Sequence, residues 1–207
     1  RRGQRGHTEI NTAGSATADE IRWGELRFRL GGATSTIGSG SQPGLLRNLD
    51  STPNQGGLGQ EAVRFETFPL DDAGGAQLTS NCNYGAAPDT ATSIAGFDGY
   101  EPHIAEGIDQ VSRNEFLCTS STTYDVTTPG LSNNLLAPQT AIIHGIGLLP
   151  ADYGLMAQAG TALIWSPRSN ITLYGDTAPV TVADRMGVQI ALGTDWVATG
   201  SMNLLRE

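Results

Sequence analysis

There is no lysine anywhere in these 207 residues; all twelve basic side chains are arginines. That absence excludes a lysine Schiff base, a lysine nucleophile, a P-loop lysine and a carboxylated lysine bridging two metals. Histidine is nearly as scarce, with three in the chain. The two cysteines, Cys82 and Cys118, lack the CxxC spacing of a zinc ribbon or a thioredoxin-like motif. They are either one disulfide, which belongs to an oxidising compartment, or two unrelated thiols. Their polar, loop-like surroundings, "SNCNYG" and "EFLCTS", tilt the expectation toward a bridge and so slightly toward a periplasmic or secreted protein over a cytoplasmic one. No run approaches the eighteen or so apolar residues of a membrane span. A net charge of −9 argues against nucleic-acid binding. What composition leaves is a globular chain, 38% hydrophobic and 16% charged. The partner expected of it is a small-molecule substrate, met alone or as a homo-oligomer, and neither expectation is read from composition.

The C-terminal third is the most legible. "QTAIIHG" (139–145), "TALIWSP" (161–167) and "VQIALGTD" (188–195) are short apolar runs that predict buried strands. Between them, "LPADYGLMAQAG" (149–160) and "APVTVADRMG" (178–187) each open on proline and close on glycine, the punctuation of a helix. Pro167 is expected to stop its strand and lead into a loop rich in Ser, Asn and Gly. Strands alternating with helices of this length predict βαβ units and a parallel α/β sheet covered on both faces, or a closed barrel. Upstream, "ADEIRWGELRFRL" (18–30) reads as an amphipathic helix capped by Thr17 with Glu20 three residues on. "GGATSTIGSGS" (31–41) predicts a short strand and a glycine turn, "EAVRFETFPL" (61–70) alternates like a strand, and residues 71–101 are loop-rich. With no repeat and no low-complexity linker, residues 1–207 read as one domain.

The rare polar residues fall where this scaffold would use them. His144 ends the first legible strand and Asp195 closes the third; Ser166 and Asn170 flank the end of the second. His103 is expected to end an earlier strand, with Glu106 in the loop after it. The C-terminal ends of parallel strands are where ligands bind, because the βα loops converge there. Imidazoles and carboxylates are the donors that zinc, iron or manganese accept, and a free carboxylate beside an activated water can carry its proton. Each residue also has an ordinary reading: a hydrogen-bonded core histidine, common loop chemistry, a surface polar pair. Their joint placement is what favours one site. His7 reads as a surface residue, the arginines near 22–29 as a solvated helix face, and Trp165 and Trp196 as core or pocket wall.

"PHIAEG", "IIHGIGL", "ALIWSPRSN" and "APVTVADRMGVQIALGTD" resemble, in order, the motifs of the metal-dependent amidohydrolase superfamily, in the branch of the cytosine and guanine deaminases and the triazine chlorohydrolases. These are its HxxE motif, its His-Gly strand end, its P-x-S-N loop and its G-x-x-x-A-L-G-T-D strand. The resemblance covers about residues 100–207; "ELRFRLGGATSTIGSG" resembles the first helix and the following G-x-T-T strand. It implies a (β/α)8 TIM-like barrel holding one divalent metal, zinc first, with iron or manganese as alternatives. His103 would ligate the metal and Glu106 would shuttle the proton. His144 would polarise or orient water or substrate. Asp195 would contact the metal and help deprotonate the water. Arg168 and Trp196 fall where substrate would be met, and so does Asn170, although its loop is nearer structure than chemistry.

One departure matters. The family's first strand carries an HxH pair, and this chain has none; "RGHTEI" offers a single histidine. The opening "RRGQRGH" and the closing "SMNLLRE", which reads as the start of a helix, suggest an internal piece of a longer protein. The first strand is then expected upstream of Arg1, and the terminal β-sandwich outside the chain as well. The activity expected is hydrolysis of a C–N bond by metal-activated water. The alternative is a non-catalytic or incomplete barrel that serves as a binding or structural module.

Overall fold

In a computed structural model that describes residues 15–38, 42–128 and 130–207, helix α1 spans Ala18–Leu30. His7 and the last residues of the 31–41 stretch lie outside the described residues. The α1 N-terminus has the predicted capping box: the Thr17 hydroxyl accepts the Glu20 N–H while the Glu20 carboxylate accepts that of Thr17. Strands β1 (Ser35–Thr36) and β2 (Arg47–Asn48) pair in parallel. Glu25, buried on α1, clamps the helix to β2 by accepting from the Gln42 and Leu46 amides and from Asn48.

The main sheet follows. Its strands are β3 (Arg64–Glu66), β4 (Tyr100–Ile104), β5 (Ala141–His144), β6 (Ala162–Trp165) and β7 (Ile190–Leu192), all parallel and in the order β3-β4-β5-β6-β7. A one-turn helix α2 (Ala91–Ile94) precedes β4. Helices α3 (Gln110–Thr119), α4 (Pro150–Ala159), α5 (Pro167–Tyr174) and α6 (Val180–Met186) supply the crossovers that parallel pairing demands. The Val63 N–H donates to the Leu49 carbonyl and so joins the small sheet to the large one. Spatial order equals chain order throughout. A doubly wound sheet reverses at a switch point; this one never does, which is the winding of a (β/α) barrel wall. The described residues form an open arc of that wall.

The core lies between the sheet and its helices. Ile104, Ile142 and Leu163 from the strands pack with Phe116, Tyr153, Met156 and Ala183 from the helices, all fully buried. On β4 the alternation buries Tyr100, Pro102 and Ile104, Ile104 in this cluster and Tyr100 in a second one with Ile94 and Leu135, and turns Glu101 and His103 to the opposite, concave face.

Three local expectations are corrected. The segment after Pro167 is a helix, not a loop: Pro167 sits at its first position, where a missing N–H costs nothing, and Gly175 closes it in the left-handed region at φ 73°. "EFLCTS" is not loop-like; Cys118 lies on α3 and is fully buried. That helix is started by Asp109, whose carboxylate accepts the Val111 and Ser112 amides. The third strand is not buried: β7 is the edge of the arc, and Leu192 is 46% exposed. Cys82 and Cys118 are bridged, and the bridge is buried with Leu70 and Tyr84.

Glu101 carries a stability prediction. Burial on the concave face, and then the Asp50 charge, push its carboxyl up to about 7. Unfolded, the group ionises near 4.5. Its neutral form therefore favours the fold, and that advantage is lost as pH rises from the unfolded value through the folded one. Above pH 7 the ionised group costs roughly 2–3 kcal/mol after partial solvent screening. Glu101→Gln keeps the shape and removes the charge. Urea unfolding is expected to show the variant about 2 kcal/mol more stable than the parent at pH 8 and nearly equal to it at pH 4.5. A gain of the same size at both pH values would contradict this origin.

Candidate active site

The concave rim of the sheet, at the strand C-termini, gathers the rare polar residues. His144 is the last residue of β5, Glu106 lies two residues beyond β4, and Asp195 three beyond β7. One donor atom from each of Glu106, His144 and Asp195 lies within 4.8 Å of the others. His144 is 1% exposed and Glu106 half-buried, while Asp195 stands at the exposed side. His103, on β4, joins them through its ring: the two imidazole centroids are 5.1 Å apart, and Phe65 meets His103 edge-on at 5.3 Å.

Backbone conformation aims these groups. Ala105, His144 and Asp195 all have positive φ, at 57°, 78° and 51°. Such values are costly for residues other than glycine and persist where the surroundings enforce them. Register pairs His144 with Ile104, whose side chain lies in the helix-side core. An extended His144 would share that face. The left-handed turn is what brings its ring beside His103 instead.

Hydrogen bonds then fix each imidazole. His103 Nδ1 is 3.2 Å from the Glu66 carbonyl, and His144 Nδ1 is 3.0 Å from Asn170 Oδ1. Both partners are acceptors, so in the neutral rings the proton sits on Nδ1 and the lone pair on Nε2. The Asn170 amide is held in turn: its Nδ2 donates to Thr177 Oγ1 at 3.2 Å, and the Trp165 indole donates to the same oxygen at 2.7 Å. His144 Nε2 is 3.7 Å from Glu106 Oε1. A nitrogen lone pair directed at a carboxylate is a setting for a cation, and the donor set of imidazole nitrogen and carboxylate oxygens fits a borderline divalent metal. Tyr174 OH donates to Glu106 Oε1 at 2.9 Å. Asp195 accepts from Ser169 Oγ and from the Trp196 N–H, and Ser169 Oγ meets Thr199 Oγ1 at 2.8 Å.

The expected site residues therefore divide. Glu106, His144 and Asp195 form the donor cluster, and His103 lies against it. Asn170 is fully buried with its amide bonded at both ends, facing His144. Trp196 is half-buried next to Asp195, and Arg168 is exposed at the start of α5 with its N–H on Glu207. Ser169, in the P-x-S-N motif expected to be nearer structure than chemistry, touches Asp195, and Tyr174 is a contact that no motif marks. The i, i+4 spacing of Asn170 and Tyr174 would have signalled one face had the segment been recognised as helical.

No family model matches the chain. It is similar to the aminodeoxyfutalosine deaminase of Deinococcus radiodurans, 37% identical over 73 residues, which is 35% of this chain and 18% of that protein. It is also similar to the 5-methylthioadenosine/S-adenosylhomocysteine deaminase of Halothermothrix orenii, 25% identical over 196 residues, 88% of this chain and 44% of that protein. The chain thus spans less than half the length of these curated relatives. Among solved structures, a zinc-bound adenosine deaminase from Xanthomonas campestris aligns with a TM-score of 0.37 and 21% identity, over 49% of this chain and 22% of its own. Taken with the ordered motifs, the sequence similarity to deaminases supports the metal-dependent amidohydrolase superfamily.

Proposed function

We propose that this protein hydrolyses a C–N bond, removing the exocyclic amine of an adenine-type nucleoside with water activated by one divalent metal, zinc first. The observation that carries the reading is the convergence of Glu106, His144 and Asp195 within 4.8 Å at one rim of a parallel sheet. A metal bound there would acidify a water toward a pKa of about 7.

This chain's residues do the rest. His103 and Asp195 are the proposed ligands. His144 offers Nε2 to the same centre and orients water or substrate. Glu106 takes a proton from the water and returns it to the departing amine. The half-buried Trp196 supplies a wall against a heterocycle, the exposed Arg168 is available to an anionic group of the substrate, and the buried Asn170 serves the substrate through the His144 ring it holds. The substrate class is supported by the names of the relatives; the stretch matched in the Deinococcus radiodurans protein covers 18% of that protein and 35% of this chain.

The first test is metal content. The protein including the first strand expected upstream of Arg1, refolded with zinc and dialysed, is expected to retain one zinc per chain and to lose it in Asp195→Ala. It is also expected to release ammonia from 5′-methylthioadenosine. A chain that holds no transition metal and releases no ammonia would instead be a barrel-derived binding module.

A further inference from the structure

One eight-residue helix touches every member of the donor cluster. On α5, Ser169 donates to Asp195, Asn170 accepts from His144, and Tyr174 donates to Glu106. Asn170 and Tyr174 are one turn apart and share a helix face. The helix leaves β6 directly, through Ser166 and Pro167, and ends on the Gly175 cap, so its position is fixed at both ends.

Of these three contacts, the one to Glu106 has the most to do. His144 and Asp195 have their directions set by their own left-handed backbone. Glu106 follows the left-handed Ala105 on a loop, and ordering its three side-chain torsions costs up to about 2 kcal/mol. The Tyr174 phenol reaches it across 68 residues of sequence and bonds the same Oε1 that lies 3.7 Å from His144 Nε2. A rigid ring on a capped helix end is suited to holding a flexible carboxylate.

We propose that Tyr174 is a positioning residue for Glu106: its hydroxyl selects the carboxylate rotamer that faces His144 and Asp195. The consequence for turnover rests on the hydrolase reading; the contact itself does not. Two measurements separate them. In full chain labelled with ζ-13C tyrosine, five phenol signals are expected, one for each tyrosine, and Tyr174→Phe identifies its own. Glu106→Ala should move the Tyr174 signal and leave the other four in place. An unmoved Tyr174 signal overturns the proposal, whether or not the protein turns anything over.

Kinetics test the consequence, with 5′-methylthioadenosine as the probe. Tyr174→Phe is expected to lower kcat about tenfold, as loss of a hydrogen bond to a charged group would, with KM within twofold and zinc content unchanged. The drop should vanish in a Glu106→Asp background, where the shortened side chain no longer reaches the phenol. A raised KM with unchanged kcat would make Tyr174 a substrate contact and refute the positioning role. Ammonia release absent from every variant, with the phenol signal still responding to Glu106→Ala, would sink the hydrolase reading and leave the contact standing.

Discussion

Glu106→Gln is expected to lower turnover by about a thousandfold while the zinc content stays at the parent value. The amide is nearly the size of the carboxylate and can still accept from Tyr174 OH, so the loop and the helix contact should survive. What it cannot do is take up and return a proton. A proton carrier within reach of the reacting water contributes on the order of a hundred- to ten-thousandfold. The measurement is ammonia release from 5′-methylthioadenosine beside metal analysis of the same sample. Because Glu106 also lies among the three clustered donors, the split between the two readouts is informative. Loss of zinc together with activity would make Glu106 a ligand and return the proton-carrying role to Asp195. Activity retained within tenfold would remove Glu106 from the chemistry altogether.

That prediction could be framed from the sequence because the relevant signals were local. A histidine closing an apolar run is visible as a strand end, and "GTD" after a second such run is visible as another. The rule that ligands collect at those ends then pointed to the gathering of Glu106, His144 and Asp195. What escaped was set by tertiary structure. The φ of 78° that turns His144 away from the Ile104 face leaves no mark in composition. Exposure of β7 depends on what pairs beside it, not on its own apolar residues. The α5 helix is hidden for a different reason: Pro167 after an apolar run signals the stop of β6, although proline serves as well to begin a helix. With α5 unread, no spacing argument could bring Tyr174 to Glu106. The start of α3 was written in plain terms, with Asp109 before Val111 and Ser112, but polar neighbours masked a helix whose buried face includes Phe116 and Cys118.

Removal of the Cys82–Cys118 bridge is expected to destabilise the fold by about 4 kcal/mol, the chain-entropy value for a closed loop of this length. The bridge spans 36 residues and so restrains the unfolded chain over a long loop. In the fold it ties the loop-rich segment around Leu70, Leu78 and Tyr84 to α3. Asn114 on that helix reinforces the tie by donating to the Asn81 carbonyl and the Tyr84 hydroxyl, each at 2.9 Å. The site is reached from the same helix: Glu115 accepts the Ala105 N–H at 2.9 Å, one residue before Glu106. Two outcomes can therefore be told apart with the Cys82→Ser/Cys118→Ser variant. If the bridge acts through the unfolded state, urea unfolding shows the loss in stability together with a larger m-value, because the unbridged chain exposes more surface. Zinc affinity at low temperature then stays within twofold of the parent. If the bridge also holds α3 against the rim, zinc affinity and turnover fall with it, and the Glu115–Ala105 contact becomes the path by which a distant loop reaches Glu106. Equal stability with and without the bridge would mean that the segment around Leu70 and Tyr84 is held by its apolar packing alone.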